Sequence, residues 1–509
     1  MNKKTIISFC AAALTVLCSA SLYAAPKFPA AQWRYSNIYD RSPWLRGDNV
    51  SGMRADSINI SQAELSGRYT GGENRLLDEA PSLWSVGAGA STIMHLQRFS
   101  MVGSFSFEQI TMYNACGGMF LERGRYPVDI YEFTPGTKSR QVYSFDGGVS
   151  VDITPDFRVG AVVDFKSTNC SKRKDLRYTD YALDLSFRPG FQWHWDKWSI
   201  GAAAAVECNT ETITAEQIGV SETSYGAFID KGLFYGMAQA WEGGGIHLTE
   251  PGIGGFPVRE LGWGVSAQMS WNEALYFDLS YLHSSGSAGE KDAIWMNFPS
   301  NRLSSTIQWK FCSNTGTEHI FRLDGSLKGS ILKENVIEKV TRGGVTTRSS
   351  FGSNAIFSRD NLSVKPCWTA VRPSVFELKL ELAYSREAAL SSYQYPYLNG
   401  QILRSVGFAF EGRYTAPCRV SPILGVWAGT GFLDENSRRA GEIESGTQPF
   451  RLQNYYEDWK WYMTAPAFGA RLGLRYTFLN SLYLEAAGSA VFRTGKSRIA
   501  AVISFGYTF

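Results

Sequence analysis

Apolar and polar residues alternate with a period of two through most of this sequence. The pattern is cleanest over 141–168. There Tyr143, Phe145, Gly147, Val149, Val151 and Ile153 form one face, and Ser144, Asp146, Gly148, Ser150 and Asp152 form the other. Thr154-Pro155-Asp156 supplies turn chemistry. The return run sets Phe157, Val159, Ala161, Val163 and Phe165 against Arg158, Asp164 and Lys166. Such alternation predicts strands with one face in an apolar phase. The same grammar predicts a first strand at 57–69 and hairpins 83–95/98–111, 178–194/198–207, 261–271/275–283 and 301–311/319–330. It continues with 350–364/374–384, joined near Pro366, then 402–415/422–431, 466–478/482–493 and a closing strand at 499–509.

Short turns alternate with long polar stretches at 112–138, 168–177, 208–258, 284–299, 331–349, 385–401 and 432–465. That is the layout of a transmembrane antiparallel β-barrel with short periplasmic turns and long outer loops. The predicted fold class is therefore all-β, an even-stranded barrel of about 14 to 18 strands, with 18 as the count taken directly. No apolar run of about 18 residues follows the first two dozen positions, so no membrane helix is predicted.

The closing strand puts Ile499, Ala501, Ile503, Phe505, Tyr507 and Phe509 on one face, and Ala500, Val502, Ser504, Gly506 and Thr508 on the other. A final strand ending in aromatic-x-Phe resembles the closing strand of Gram-negative outer-membrane β-barrels, here through Phe505, Tyr507 and Phe509. The overall style is similar to that of Bacteroidota barrels. The resemblance implies an outer-membrane location, contact with outer-membrane lipids, and recognition of Phe509 by the outer-membrane assembly machinery.

The first residues are Met1-Asn2-Lys3-Lys4, an apolar run from Thr5 to Leu17, and Ser19-Ala20-Ser21-Leu22-Tyr23-Ala24-Ala25. Basic, apolar, then small is the build of a secretory signal peptide, with 1–24 removed by cleavage after Ala24. Residues 25–56 form an irregular segment rich in Trp, Pro, Arg and Asp. It is too short for the globular plug that TonB-dependent transporters carry ahead of their barrel. Residues 57–509 form the barrel as one domain.

Composition adds three points. The 50 glycines, frequent aromatics and low charge density suit a barrel with aromatic girdles. The formal net charge of +3, without clustering, excludes a nucleic-acid partner. Parity sends charged residues inward, among them Asp146, Arg158, Asp164, Arg322, Asp324, Lys379, Glu381, Arg413, Arg471 and Arg475. Unpaired burial of charge is costly, so these must meet water or one another. The lumen is either a water-filled path with a basic patch at Arg413, Arg471 and Arg475, or a salt-bridged filling.

Two loops draw attention. The glycine-rich stretch 208–258 holds Trp241, Glu242 and His247 and is a candidate constriction. The stretch 432–465 holds Tyr455, Tyr456, Trp459 and Trp461, candidates for binding a sugar or a partner. Six cysteines follow the leader, and Cys170–Cys208 and Cys312–Cys367 are the expected pairings, with Cys116 and Cys418 left over. The five histidines are scattered over different hairpins, and no catalytic, metal or cofactor motif is present. The function expected is porin-like passage of a small polar solute. The alternative is a non-conducting barrel that anchors a surface lipoprotein or joins an uptake or secretion complex.

Overall fold

A computed structural model describes residues 34–55, 58–174, 176–216, 225–241, 256–290, 293–373, 375–393, 397–415, 419–439, 451–479 and 481–509. Residues 1–24, expected to be a leader, and Cys418 lie outside them. Ahead of the wall come two short helices, α1 (Tyr35–Arg41) and α2 (Pro43–Arg46), and a 3-10 turn at Val50–Ala55.

The wall begins with β1 (Ile60–Gly72), β2 (Ser82–His95), β3 (Phe99–Gly118), β4 (Asp129–Asp152), β5 (Phe157–Lys172), β6 (Arg177–Trp195) and β7 (Trp198–Glu216). A hairpin of β8 (Tyr225–Asp230) and β9 (Gly236–Trp241) leaves the wall and pairs with the start of β4, Asp129 opposite Asp230. The wall resumes with β10 (Phe256–Trp271), β11 (Leu275–Glu290), β12 (Ala293–Cys312), β13 (Glu318–Arg342) and β14 (Val345–Arg372). It continues with β15 (Phe376–Ser391), β16 (Tyr397–Tyr414) and β17 (Val420–Arg439). A helix, α3 (Gln453–Thr464), precedes β18 (Ala467–Phe478), β19 (Leu482–Arg493) and β20 (Lys496–Thr508).

Each wall strand pairs antiparallel with the next, β7 pairs with β10, and β20 pairs with β1. The result is a closed barrel of 18 strands. Closure leaves no free edge, which is what a sheet in lipid requires. Alternation does the sorting. Ile503 is 61% exposed, Leu472 67% and Trp263 56%, all on the outer face, where lipid rather than water covers them. Near the short turns, Trp309, Phe311, Phe321 and Trp368 form a run of ring contacts that includes His319, part of an interfacial girdle.

Two expectations need correction. The turn joining 350–364 to 374–384 is not at Pro366. β14 runs on to Arg372, and the turn follows it. Pro366 is tolerated because it keeps its place opposite Leu323 on one side, while Lys365 and Pro366 take no partner on β15. The cysteine pairings are absent as well: Cys116, Cys170, Cys208, Cys312 and Cys367 are free. Cys170 lies on β5 and Cys208 on β7, with β6 between them; Cys312 and Cys367 are likewise separated by β13. Two strand spacings come to roughly 9–10 Å, beyond the reach of a disulfide.

Candidate functional site in the barrel lumen

The irregular segment before the barrel enters it. Sequence patterning left residues 25–56 without a role, because nothing in them repeats. In the structure residues 34–55 lie across the lumen near the short-turn end. Ile38, Trp44, Leu45, Val50 and Met53 are buried, and several pack with wall residues Ile60, Ile93, Val102 and Val162. Trp44 stands edge-on to Tyr276 with ring centroids 5.4 Å apart.

Polar contacts run round the barrel. Arg34 pairs with Glu485, and Asn37 donates to Glu377 at 2.6 Å. Arg46 pairs with Asp324 at 3.3 Å, Asp48 with Arg188 at 2.8 Å, and Arg54 with Asp152. The backbone carbonyl of Arg41 accepts from Gln308 at 3.1 Å. Asn49 is the central peg. Its Nδ2 donates to the carbonyls of Phe191 and Ala202 and to Gln268, at 2.9, 3.3 and 3.0 Å, and its Oδ1 accepts from the Ser51 amide at 3.1 Å. The wall makes room with glycine. A Cβ at Gly190 or at Gly201 would come within 2.7 Å of the Asn49 amide.

Above this plug the lumen divides. A larger cavity of about 940 Å³ is lined by α1 and by strands β13 to β20 and β1 to β3. A second of about 650 Å³ lies on the side of β3 to β7 and β10 to β13. Tyr35 and Ser104 line both, so α1 stands between them. Basic side chains outnumber acidic ones around the larger cavity, and the reverse holds in the smaller. Burial pushes the Tyr39 phenol up to about 12, and nearby Asp146 adds to the rise. Burial and Asp146 raise the Tyr35 phenol too.

The inward charges find partners. Arg475 pairs with Glu485 at 2.9 Å, and Arg471 lies 3.8 Å from both Glu411 and Glu485. Arg413 is buried beside the same cavity. These three arginines do gather on one side of the lumen. Arg158 meets Asp152 at 3.1 Å, and Arg188 bridges Asp48 and Asp164. Arg322 meets Asp324 at 2.8 Å, Lys379 lies 3.9 Å from Glu381, and Asp146 accepts from Ser104. The plug thus adds a second partner to wall charges already paired within the wall: Glu485, Asp324, Arg188 and Asp152.

The outer end is roofed. The tip of the β8–β9 hairpin crosses the mouth: Lys231 pairs with Glu334 at 2.5 Å and lies over Tyr393, and Gly232 abuts Phe357. Trp241 closes that hairpin opposite Tyr225, while Glu242 and His247 lie outside the described residues. The aromatic run at 455–461 is a helix, α3, and not an open loop. Tyr456 is buried among Tyr131, Phe228 and Phe234, and Tyr455 and Trp459 pack against the same cluster. Trp461 sits under the Lys496 ammonium. These rings are occupied in holding the roof, because apolar rings at a wet mouth pack together. Among the described residues no group of three or more His, Cys, Asp or Glu is placed to hold a metal ion.

A closed barrel with an apolar belt, aromatic girdles and a charged lumen crossed by its own N-terminal segment is an integral outer-membrane β-barrel. The chain belongs to the family described as "Family of unknown function (DUF6850)", which matches residues 50–509. No curated protein sequence matches it. Among solved structures it is similar to the ferric preacinetobactin receptor BauA of Acinetobacter baumannii, at 7% identity, 89% of this chain, 80% of that chain and a TM-score of 0.39. It is also similar to the ferric enterobactin receptor PfeA of Pseudomonas aeruginosa, at 10% identity, 88% and 81% coverage and a TM-score of 0.41. At that level the likeness says nothing about ligand.

Proposed function

We propose that this protein passes a small polar solute across the outer membrane through a barrel that its N-terminal segment holds shut. The observation that carries this reading is the crossing of the lumen by residues 34–55, tied to the wall by ion pairs and hydrogen bonds that water can replace, beside one apolar cluster. Two polar cavities remain between plug and roof, which supports a path and not a solid core. The unobstructed porin-like path is replaced by a gated one. The leader 1–24 directs export, and Phe509 is the handle for the assembly machinery.

The test is single-channel conductance in a planar bilayer, with the full chain beside a variant lacking 34–55. The full chain is expected to stay closed with rare brief steps, and the deletion to give stable ohmic steps. A deletion variant that forms a heat-modifiable barrel yet passes no current would sink the reading. It would favour the second one, a platform for a surface lipoprotein. That alternative draws on the β13–β14 ribbon, which runs well past the ends of β12 and β15 into the exterior.

A further inference from the structure

We propose that the larger lumenal cavity is a binding site for an anionic sugar unit stacked on Trp427. The inference rests on the transport reading and names the class of solute.

Trp427 lies on β17, and register fixes where it points. Gly425 lies opposite the inward Arg471, so Trp427, two residues on, also faces the lumen. Its neighbours across the sheet are Ala409 and Gly469, both small. A Cβ at Gly469 would fall 2.1 Å from the indole, so the ring overlies bare backbone there. Among the described residues Trp427 has no ring, cation–π or hydrogen-bond partner. The rings of α3, by contrast, are stacked on one another or capped by cations. An unstacked indole in a charged, wet cavity leaves an apolar face in water. Its electron-rich face attracts the polarised C–H groups of a ring laid against it.

The charges around it select the ring. Arg471 keeps 3.8 Å from both its carboxylates, well beyond the roughly 2.7–2.9 Å of a direct charge-assisted bond. Its guanidinium is left with donors for a carboxylate or sulfate. Arg68 is exposed into the same cavity and has no ion-pair partner among the described residues. Register places it near Arg471's level: Arg471 pairs with Ser489, Ser489 with Ala500, and Ala500 with Thr70, two residues from Arg68. Three strand steps and a two-residue offset separate the two arginines by roughly 16 Å at the backbone. The inward residues between them, Ser489 and Ala500, are small and leave a hollow. Glu381 and Glu411 line the cavity as hydrogen-bond acceptors. A hydroxyl-rich ligand satisfies them; an aromatic acid has no donors to offer. A volume of about 940 Å³ suits a short saccharide.

The test is titration calorimetry on the full chain in detergent with digalacturonate, neutral galactobiose and phthalate. Digalacturonate is expected to bind at least tenfold more tightly than galactobiose, and phthalate not at all. Trp427→Ala should weaken digalacturonate at least tenfold, and Trp427→Phe should restore most of that loss. Arg471→Gln should abolish the preference for the acidic sugar while leaving galactobiose unchanged. Each variant is checked for heat-modifiable mobility, and if Trp427→Ala does not fold, Arg471→Gln and Trp427→Phe decide. Absence of digalacturonate binding, unchanged affinity in the variants, or equal binding of phthalate overturns the proposal. The conductance of the 34–55 deletion is read separately, so a conducting deletion with no sugar binding discards this site and keeps the transport reading.

Discussion

Asn49 shows how much of the closure rests on single polar side chains. It is 2% exposed and bonds two wall carbonyls, one wall amide side chain and its own turn. Asn49→Ala strips donors from buried acceptors, at a cost of about 1–3 kcal/mol. The plug's opening equilibrium should then shift roughly 5- to 150-fold toward open. The same conductance record reads this as more frequent open events without a change in step size. An unchanged event rate would mean that the plug is held by its apolar contacts instead. Cysteine chemistry is read at the same scale. Cys116, Cys170, Cys208, Cys312 and Cys367 should each take up maleimide after denaturation without reductant, as mass spectrometry will show.

At the scale of elements, the roof is held by α3 and the β8–β9 hairpin. Asp230, at the hairpin tip, has its carboxyl pushed up to about 6 by burial, opposed by the Gly232 amide and Arg123. Asp129, opposite it, is raised by burial too. A carboxyl whose folded pKa lies above its released value binds protons more tightly in the closed roof. Closure therefore gains as pH falls through about 6 toward about 4, and loses that gain as pH rises again. Hydrogen exchange over 225–235 should be slower at pH 5 than at pH 7.5, after correction for intrinsic rates. Asp230→Asn should flatten much of that difference; an unaltered pH profile in this variant would remove Asp230 from the account.

For the whole molecule, the wall closes on itself through β1 and β20, with Ser61 and Phe509 exchanging backbone hydrogen bonds at 2.9 Å. None of those ladder bonds passes through the plug. The variant lacking 34–55 should accordingly keep its heat-modifiable mobility while losing closure. Collapse of the wall in that variant would show that the plug is a core and not a gate.

Strand positions, lipid-facing residues and most short turns could be read from the sequence because period-two alternation assigns each side chain to a face whatever its partners are. Parity also sent Arg413, Arg471 and Arg475 inward. Pro366 misled, since a missing amide is harmless where a strand leaves a pair unmade. Tertiary structure alone decided what occupies the lumen. Residues 34–55 carry no periodicity, and their partners Asp152, Arg188, Asp324, Glu377 and Glu485 lie on strands far apart in sequence. Only closure of the barrel brings those charges round one segment. Trp427 was passed over for the same reason: its bare face depends on Ala409 and Gly469 arriving from neighbouring strands.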